Sequence, residues 1–186
     1  MMSRNHIACG GTPESRKNHW ETPKKEYGIL HRVFHFGVDA AASDSNHKCP
    51  IYYTEHTDGL RNGWAFFDGQ SDIPLCVFCN PPYDLKEEFL EKAFIQSRDY
   101  GVRSVLLLPA NTDAKWYHTY AKVAQVWQLE GRINYELDGQ VPTYINKNNK
   151  EVKAGNSKGS SLFIFGPNVV PIIRNMTWQE IEALAA

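Results

Sequence analysis

The apolar runs of this chain are short and bounded by turn residues. Leu75-Cys76-Val77-Phe78-Cys79, Val102-Arg103-Ser104-Val105-Leu106-Leu107-Leu108 and Ser161-Leu162-Phe163-Ile164-Phe165 are nearly continuous rather than alternating. Runs of that length predict strands buried on both faces. Between them the period changes. Residues 24–34 place Tyr27, Leu30 and Phe34 at helical spacing, after Thr22 as a cap and Pro23 in the first turn. A second helix is predicted from Leu85 to about residue 99, closed by Gly101. A third runs from Lys115 to Val123. Thr177-Trp178-Gln179-Glu180 is a capping box for a short C-terminal helix. Further strands are predicted at Val33 to Asp39, Ile51 to Thr54, Val126 to Leu129 and Arg132 to Tyr135. Strands alternating with helices predict an α/β sheet.

The 186 residues, 42% of them hydrophobic, suffice for one domain with a sizeable core. We expect a flexible, polar N-terminal arm over 1–19 and a single domain over 20–186. No apolar stretch is long enough to span a bilayer, and the start of the chain lacks the order of a signal peptide. The four cysteines, Cys9, Cys49, Cys76 and Cys79, do not read as a disulfide framework, which predicts a cytoplasmic protein. Cys76 and Cys79 have the C-x-x-C spacing of a metal site, but on a strand they face opposite ways. Buried thiols are the expectation, with no metal. A net charge of −1 gives no global argument for nucleic acid, so any phosphate contact must be local. The polar stretch 138–159 is the basic candidate, with Lys147, Lys150, Lys153 and Lys158. It reads either as a solvated loop or as a substrate-facing loop that grips phosphates.

Chemistry concentrates at Asn80-Pro81-Pro82-Tyr83, directly after the first apolar run. In open α/β sheets, ligands bind at the carboxyl ends of strands. The prolines stiffen the turn and leave their carbonyls as acceptors. Asn80 adds a side-chain acceptor, and Tyr83 a flat aromatic face. Rigid acceptors beside an aromatic plate suit an exocyclic amino group on a planar ring. The alternative is a Pro-Pro turn that merely ends a buried strand. Asp39-Ala40-Ala41-Ala42-Ser43 closes another predicted strand with an acid and very small residues, which allows a nucleoside to approach the backbone. Glu55, Asp58 and Asp68 are loop acids, any one of which could hold ribose hydroxyls.

Several separate stretches agree in order: W-x-T-P from Trp20, F-x-x-D-A-A-A-S to Ser43, C-N-P-P-Y, L-L-P-A-N-T-D-x-x-W-x-H to His118, E-G-R-I, and S-L-F-I-F. Together they resemble the phage-type DNA N6-adenine methyltransferases, the Dam-like family. The resemblance implies a Rossmann-like fold that uses S-adenosylmethionine, with a mostly parallel central sheet and a reversed edge strand. It implies a catalytic role for Asn80, Pro81, Pro82 and Tyr83 on a flipped adenine. It assigns Trp20, Thr22, Pro23, Asp39, Ala40 and Ala41 to the cofactor, with Asp58 chosen among the loop acids for the ribose, although alanines and a serine stand where related enzymes carry glycines. DNA, expected as a duplex, would meet Asn111, Thr112, Lys115, Trp116, His118 and the four lysines of 138–159. A phage-encoded enzyme would work in the host cytoplasm. The N-P-P-Y motif also occurs in methyltransferases of protein glutamine and of RNA, and a catalytically silent relative could keep the fold.

Overall fold

The structure is a computed structural model and describes residues 18–145, 148–153 and 158–186. Seven strands form one sheet: β1 (Phe36–Asp39), β2 (Ile51–Tyr52), β3 (Cys76–Cys79), β4 (Ser104–Pro109), β5 (Gln125–Leu129), β8 (Ser160–Phe165) and β9 (Ile172–Met176). Between β5 and β8 lies a separate hairpin of β6 (Thr143–Ile145) and β7 (Glu151–Lys153). The sheet order is β2-β1-β3-β4-β8-β5-β9. All neighbours are parallel except β8, which runs against both β4 and β5. The mostly parallel Rossmann-like sheet is as expected. The reversed strand is not at the edge; it is interior, because β5 and then β9 add beyond it.

The unbroken apolar runs have a simple cause. β3, β4 and β8 are central strands, so both of their faces are buried. Val77, Cys79, Leu106, Leu108, Phe163 and Phe165 share one core, covered by α2 (Lys86–Tyr100) through Phe89, Leu90 and Ala93. Cys76, Phe78, Val105, Leu107, Leu162 and Ile164 share the other, covered by α1 (Lys24–Phe34) and α4 (Trp178–Ala183). Each fully buried Leu, Ile or Phe in these layers contributes about 1.5–3 kcal/mol. Cys76 and Cys79 therefore point into different cores, and their side chains cannot converge on one ion. Burial pushes the Cys76 thiol up to about 12 and the Cys79 thiol well above the ordinary value, as inert core thiols require.

Helix ends follow local chemistry. Gly101 takes the left-handed conformation, φ 66°, that closes α2. The box at Thr177 is formed in both directions with Glu180. Thr22 does not cap α1: the N-cap is Pro23, without a side-chain bond, and Thr22 is instead buried. β1 starts at Phe36, because His35 turns the chain at φ 51°. α3 (Lys115–Tyr120) stops short of Val123. Residues 132–135 form no strand; Ile133 and Tyr135 are buried as irregular chain, and Glu136 pairs with Glu21. Among the described residues no helix is long and apolar enough to cross a membrane.

Candidate active site

Strand order places the site. From β1 the chain moves outward to β2, then returns to β3 on the other side of β1. The switch point is the crevice between β1 and β3, where Asp39 lies opposite Phe78 and the Ala40 N–H reaches the Phe78 carbonyl at 2.9 Å. The loops that leave here, 40–50 and 80–85, are the two that the sequence singles out. A crevice at the carboxyl ends beside a switch point is where open α/β sheets bind ligands.

Asn80 leaves β3 half-buried, and its side-chain Nδ2 donates to the Trp20 carbonyl at 2.7 Å. Oδ1 is left as the acceptor end of the amide. Pro81 is buried. The Pro82 carbonyl accepts from the Leu85 N–H at 3.0 Å and closes the 3-10 turn Tyr83–Leu85. The Pro81 carbonyl makes no hydrogen bond among the described residues. Two acceptors thus lie on adjacent residues, one on a side chain and one on a backbone that proline stiffens. Half-buried Tyr83 follows, with its hydroxyl close enough to Tyr135 to raise that phenol further beyond the effect of burial. Lys86, the first residue of α2, folds its ammonium onto the Tyr83 carbonyl at 3.0 Å and lies 6.0 Å from the Trp116 ring.

Asp39 ends β1 buried, accepting from Lys48 N–H at 3.0 Å and Ala41 N–H at 3.4 Å. Burial pushes its carboxyl up to about 6, against the pull of those bonds and of Lys48 and His47. The folded state therefore holds this proton more tightly than the unfolded chain. The contribution of this group to stability falls as pH rises from about 4 to about 6 and is flat above that. Asp39→Asn is expected to remove this slope, which amounts to at most roughly 3 kcal/mol. Urea denaturation of both proteins from pH 4 to 7 measures it; parallel curves would refute the raised value.

Two further features bear on what this crevice could hold. The Thr22 hydroxyl and the Asn111 Oδ1 are buried without a hydrogen-bond partner among the described residues, next to the bonded segments 20–23 and 109–114 at this rim. Orphaned polar atoms of this kind suit a polar ligand. Gly59 packs so closely that an added Cβ would lie 2.3 Å from the Ala40 carbonyl oxygen. Asp58 is differently employed: its carboxylate takes the Leu60 and Arg61 N–H groups at 3.0 and 3.3 Å and the Arg61 guanidinium at 3.1 Å, which closes a turn.

The reversed strand explains the rest of the rim. β8 begins opposite the carboxyl end of β4, with Ser160 facing Pro109 and the Gly159 carbonyl accepting from Ala110 N–H at 2.9 Å. The chain that holds the β6–β7 hairpin therefore leaves β5 and enters β8 at the same edge as Asn80. Lys150, Lys153 and Lys158 are exposed in that segment, as are Thr112, Lys115 and His118 on and before α3. Trp116 is not; it is 6% exposed and packs on Phe163 in the core. Lys147 lies outside the described residues, as do residues 1–17 of the arm. Asn18, expected within that arm, is fixed on Asp84. Sequence reading missed Asn18, Glu21 and Gly59, whose partners are distant along the chain. Lys86 carried a signal: a lysine in the first helical turn opposes the helix dipole.

A mostly parallel seven-stranded sheet with one reversed interior strand is that of a Rossmann-like methyltransferase fold. A profile described as DNA N-6-adenine-methyltransferase (Dam) matches residues 10–184. The chain belongs to this family. A protein of Escherichia phage T1 named DNA N-6-adenine-methyltransferase is 28% identical over 161 residues, covering 82% of this chain and 64% of the phage protein. The chain thus spans somewhat less than two thirds of that relative's length.

Proposed function

We propose that this protein methylates the N6 amino group of adenine in DNA, using S-adenosylmethionine as donor. The observation that carries the reading is the Asn80 amide, oriented by the Trp20 carbonyl beside the Pro81 carbonyl and Tyr83. Family membership and the name of the phage relative support adenine and DNA. The donor would lie along Thr22, Asp39, Ala40 and Ala41, where buried polar atoms and small residues suit it. When bound, it supplies an electrophilic methyl on a sulfonium.

The chain's own residues prepare the acceptor. A base inside a duplex is out of reach, so the target adenine must be flipped out at a cost of a few kcal/mol. Stacking on Tyr83 offsets roughly 1–3 kcal/mol of that. The Asn80 Oδ1 and the Pro81 carbonyl accept the two amino N–H bonds. This fixes the amino group and draws density onto nitrogen. The surplus proton of the methylated amine passes to water. Most of the rate enhancement then comes from position.

Phosphate contacts fall to the rim. With Lys150, Lys153 and Lys158 all changed to alanine, KM for DNA is expected to rise about tenfold at moderate salt, with a shallower salt dependence and little change in kcat. Steady-state assays at several salt concentrations check this. The primary test is transfer of labelled methyl from S-adenosylmethionine to unmethylated duplex DNA, with nucleoside analysis of the digest. N6-methyladenine supports the reading. Donor binding without incorporation redirects the search to RNA or protein glutamine. No donor binding at all points to a catalytically silent relative.

A further inference from the structure

Residues 18–22 cross the carboxyl rim as a strap before α1 begins. Asn18 Nδ2 donates to the Asp84 carboxylate at 2.8 Å, and its Oδ1 accepts the Asp84 N–H at 3.3 Å. Trp20 accepts from Asn80 and sets its ring against Tyr135 at 6.3 Å. Glu21 and Glu136 exchange two backbone hydrogen bonds, at 2.9 and 3.0 Å. The Glu21 carboxylate also accepts the Gly139 N–H at 3.0 Å. The strap is thus tied to the turn after Asn80 on one side and to 136–139 on the other. Between those anchors, the Trp20 carbonyl is bonded to the residue expected to touch the substrate.

A primary amide is nearly symmetrical in shape but not in chemistry. One end accepts two hydrogen bonds and the other donates two. Turned the wrong way, Asn80 would meet an incoming amino group with donors against donors. Shape cannot prevent that turn, and a hydrogen-bond partner that can only accept does. We propose that the Trp20 carbonyl is a positioning group: it holds the Asn80 amide with Oδ1 toward the target amine, and Asn18 and Glu21 hold that carbonyl in place. The inference rests on Asn80 being the amine acceptor, as argued above. It has a further consequence. In this chain, a carboxylate at position 80 would bring an oxygen against the Trp20 carbonyl oxygen, acceptor against acceptor.

The test loosens the strap through residues that do not touch Asn80, by the double change Asn18→Ala and Glu21→Ala, which removes the side-chain bonds to Asp84 and Gly139 and leaves the two backbone bonds to Glu136. In the full chain, kcat on duplex DNA, measured at saturating S-adenosylmethionine because Thr22 shares the strap, is expected to fall about tenfold, with KM for DNA within about twofold. Asn80→Asp is then measured in both backgrounds. Its cost should be several-fold larger with the strap intact than loosened, because only then is the Trp20 carbonyl held firmly against the carboxylate. Equal costs in the two backgrounds, or an unchanged kcat on loosening, would overturn the proposal. A readout free of activity accompanies these. The side-chain amide protons of Asn80, identified in NMR spectra by their absence in Asn80→Ala, should exchange slowly in the wild type and faster after loosening. Fast exchange in the wild type overturns the bond itself. Slow exchange in a protein that methylates no adenine overturns the acceptor reading and leaves the strap standing.

Discussion

Asn80→Ala is expected to reduce methyl transfer to adenine in DNA by about 10²–10³-fold, while S-adenosylmethionine binds within about threefold of wild type. The size follows from what the side chain does. Removing one oriented group that stabilises developing charge in a water-poor site costs about that much in comparable enzymes. Alanine deletes the Oδ1 acceptor and also frees the Trp20 carbonyl, while Pro81 and Tyr83 keep their places. The amine then loses one of two acceptors and part of its alignment. The donor would touch Thr22 and the other wall of the crevice, at Asp39, Ala40 and Ala41; the Asn80 side chain bonds to none of these, so donor affinity is only weakly coupled to this loss. Single-turnover methylation with saturating DNA, beside calorimetry of the donor, separates the two quantities. Wild-type turnover in this variant would sink the site assignment.

The parts of the fold that were legible in the sequence share a physical reason. β3, β4 and β8 could be read from unbroken apolar runs because both sheet faces are covered. α1, α2 and α4 carried periodicity or end signals of their own. The elements that escaped have exposed faces or borrowed partners. β9 exposes most of its residues and holds its place by pairing with β5 along a single edge. The β6–β7 hairpin pairs only three residues on each strand, too short a run for a period to announce it. The interior place of β8 depends on what docks outside it, which no local pattern encodes. The site divides along the same line. The N-P-P-Y loop and Asp39 were legible because rigid or small residues mark them. Trp20 and Thr22 were singled out, but the ties of the strap were not legible, because Asn18 meets a residue 66 positions away and Trp20 bonds through its backbone, which any side chain would offer.

The same distinction sets the second large effect, at a residue that carries no chemistry. Gly59→Ala is expected to destabilise the fold by about 1–3 kcal/mol and to weaken donor binding by at least about tenfold. The added methyl would sit 2.3 Å from the Ala40 carbonyl oxygen and 3.2 Å from the Tyr53 Cβ. Neither neighbour can swing aside as the tip of a long side chain would. Ala40 is held by its bond to Phe78, and the next turn by Ala42 N–H on the Tyr53 carbonyl at 2.8 Å and Tyr53 N–H on the Asp39 carbonyl at 2.9 Å. Gly59 itself is pinned by the Trp64 indole N–H on its carbonyl at 2.8 Å. Relief must therefore move backbone in the candidate cofactor loop, where displacement costs both stability and the fit of the donor. Gly63→Ala is the matched control. Its new methyl would meet no atom within 4 Å. It should leave stability within about 0.5 kcal/mol of wild type. Urea midpoints and donor calorimetry on the two variants decide the matter. If both behaved alike, the turn at 53–59 would not be packed against the Asp39-Ala40-Ala41 loop, and that loop would need another support for the shape proposed for it.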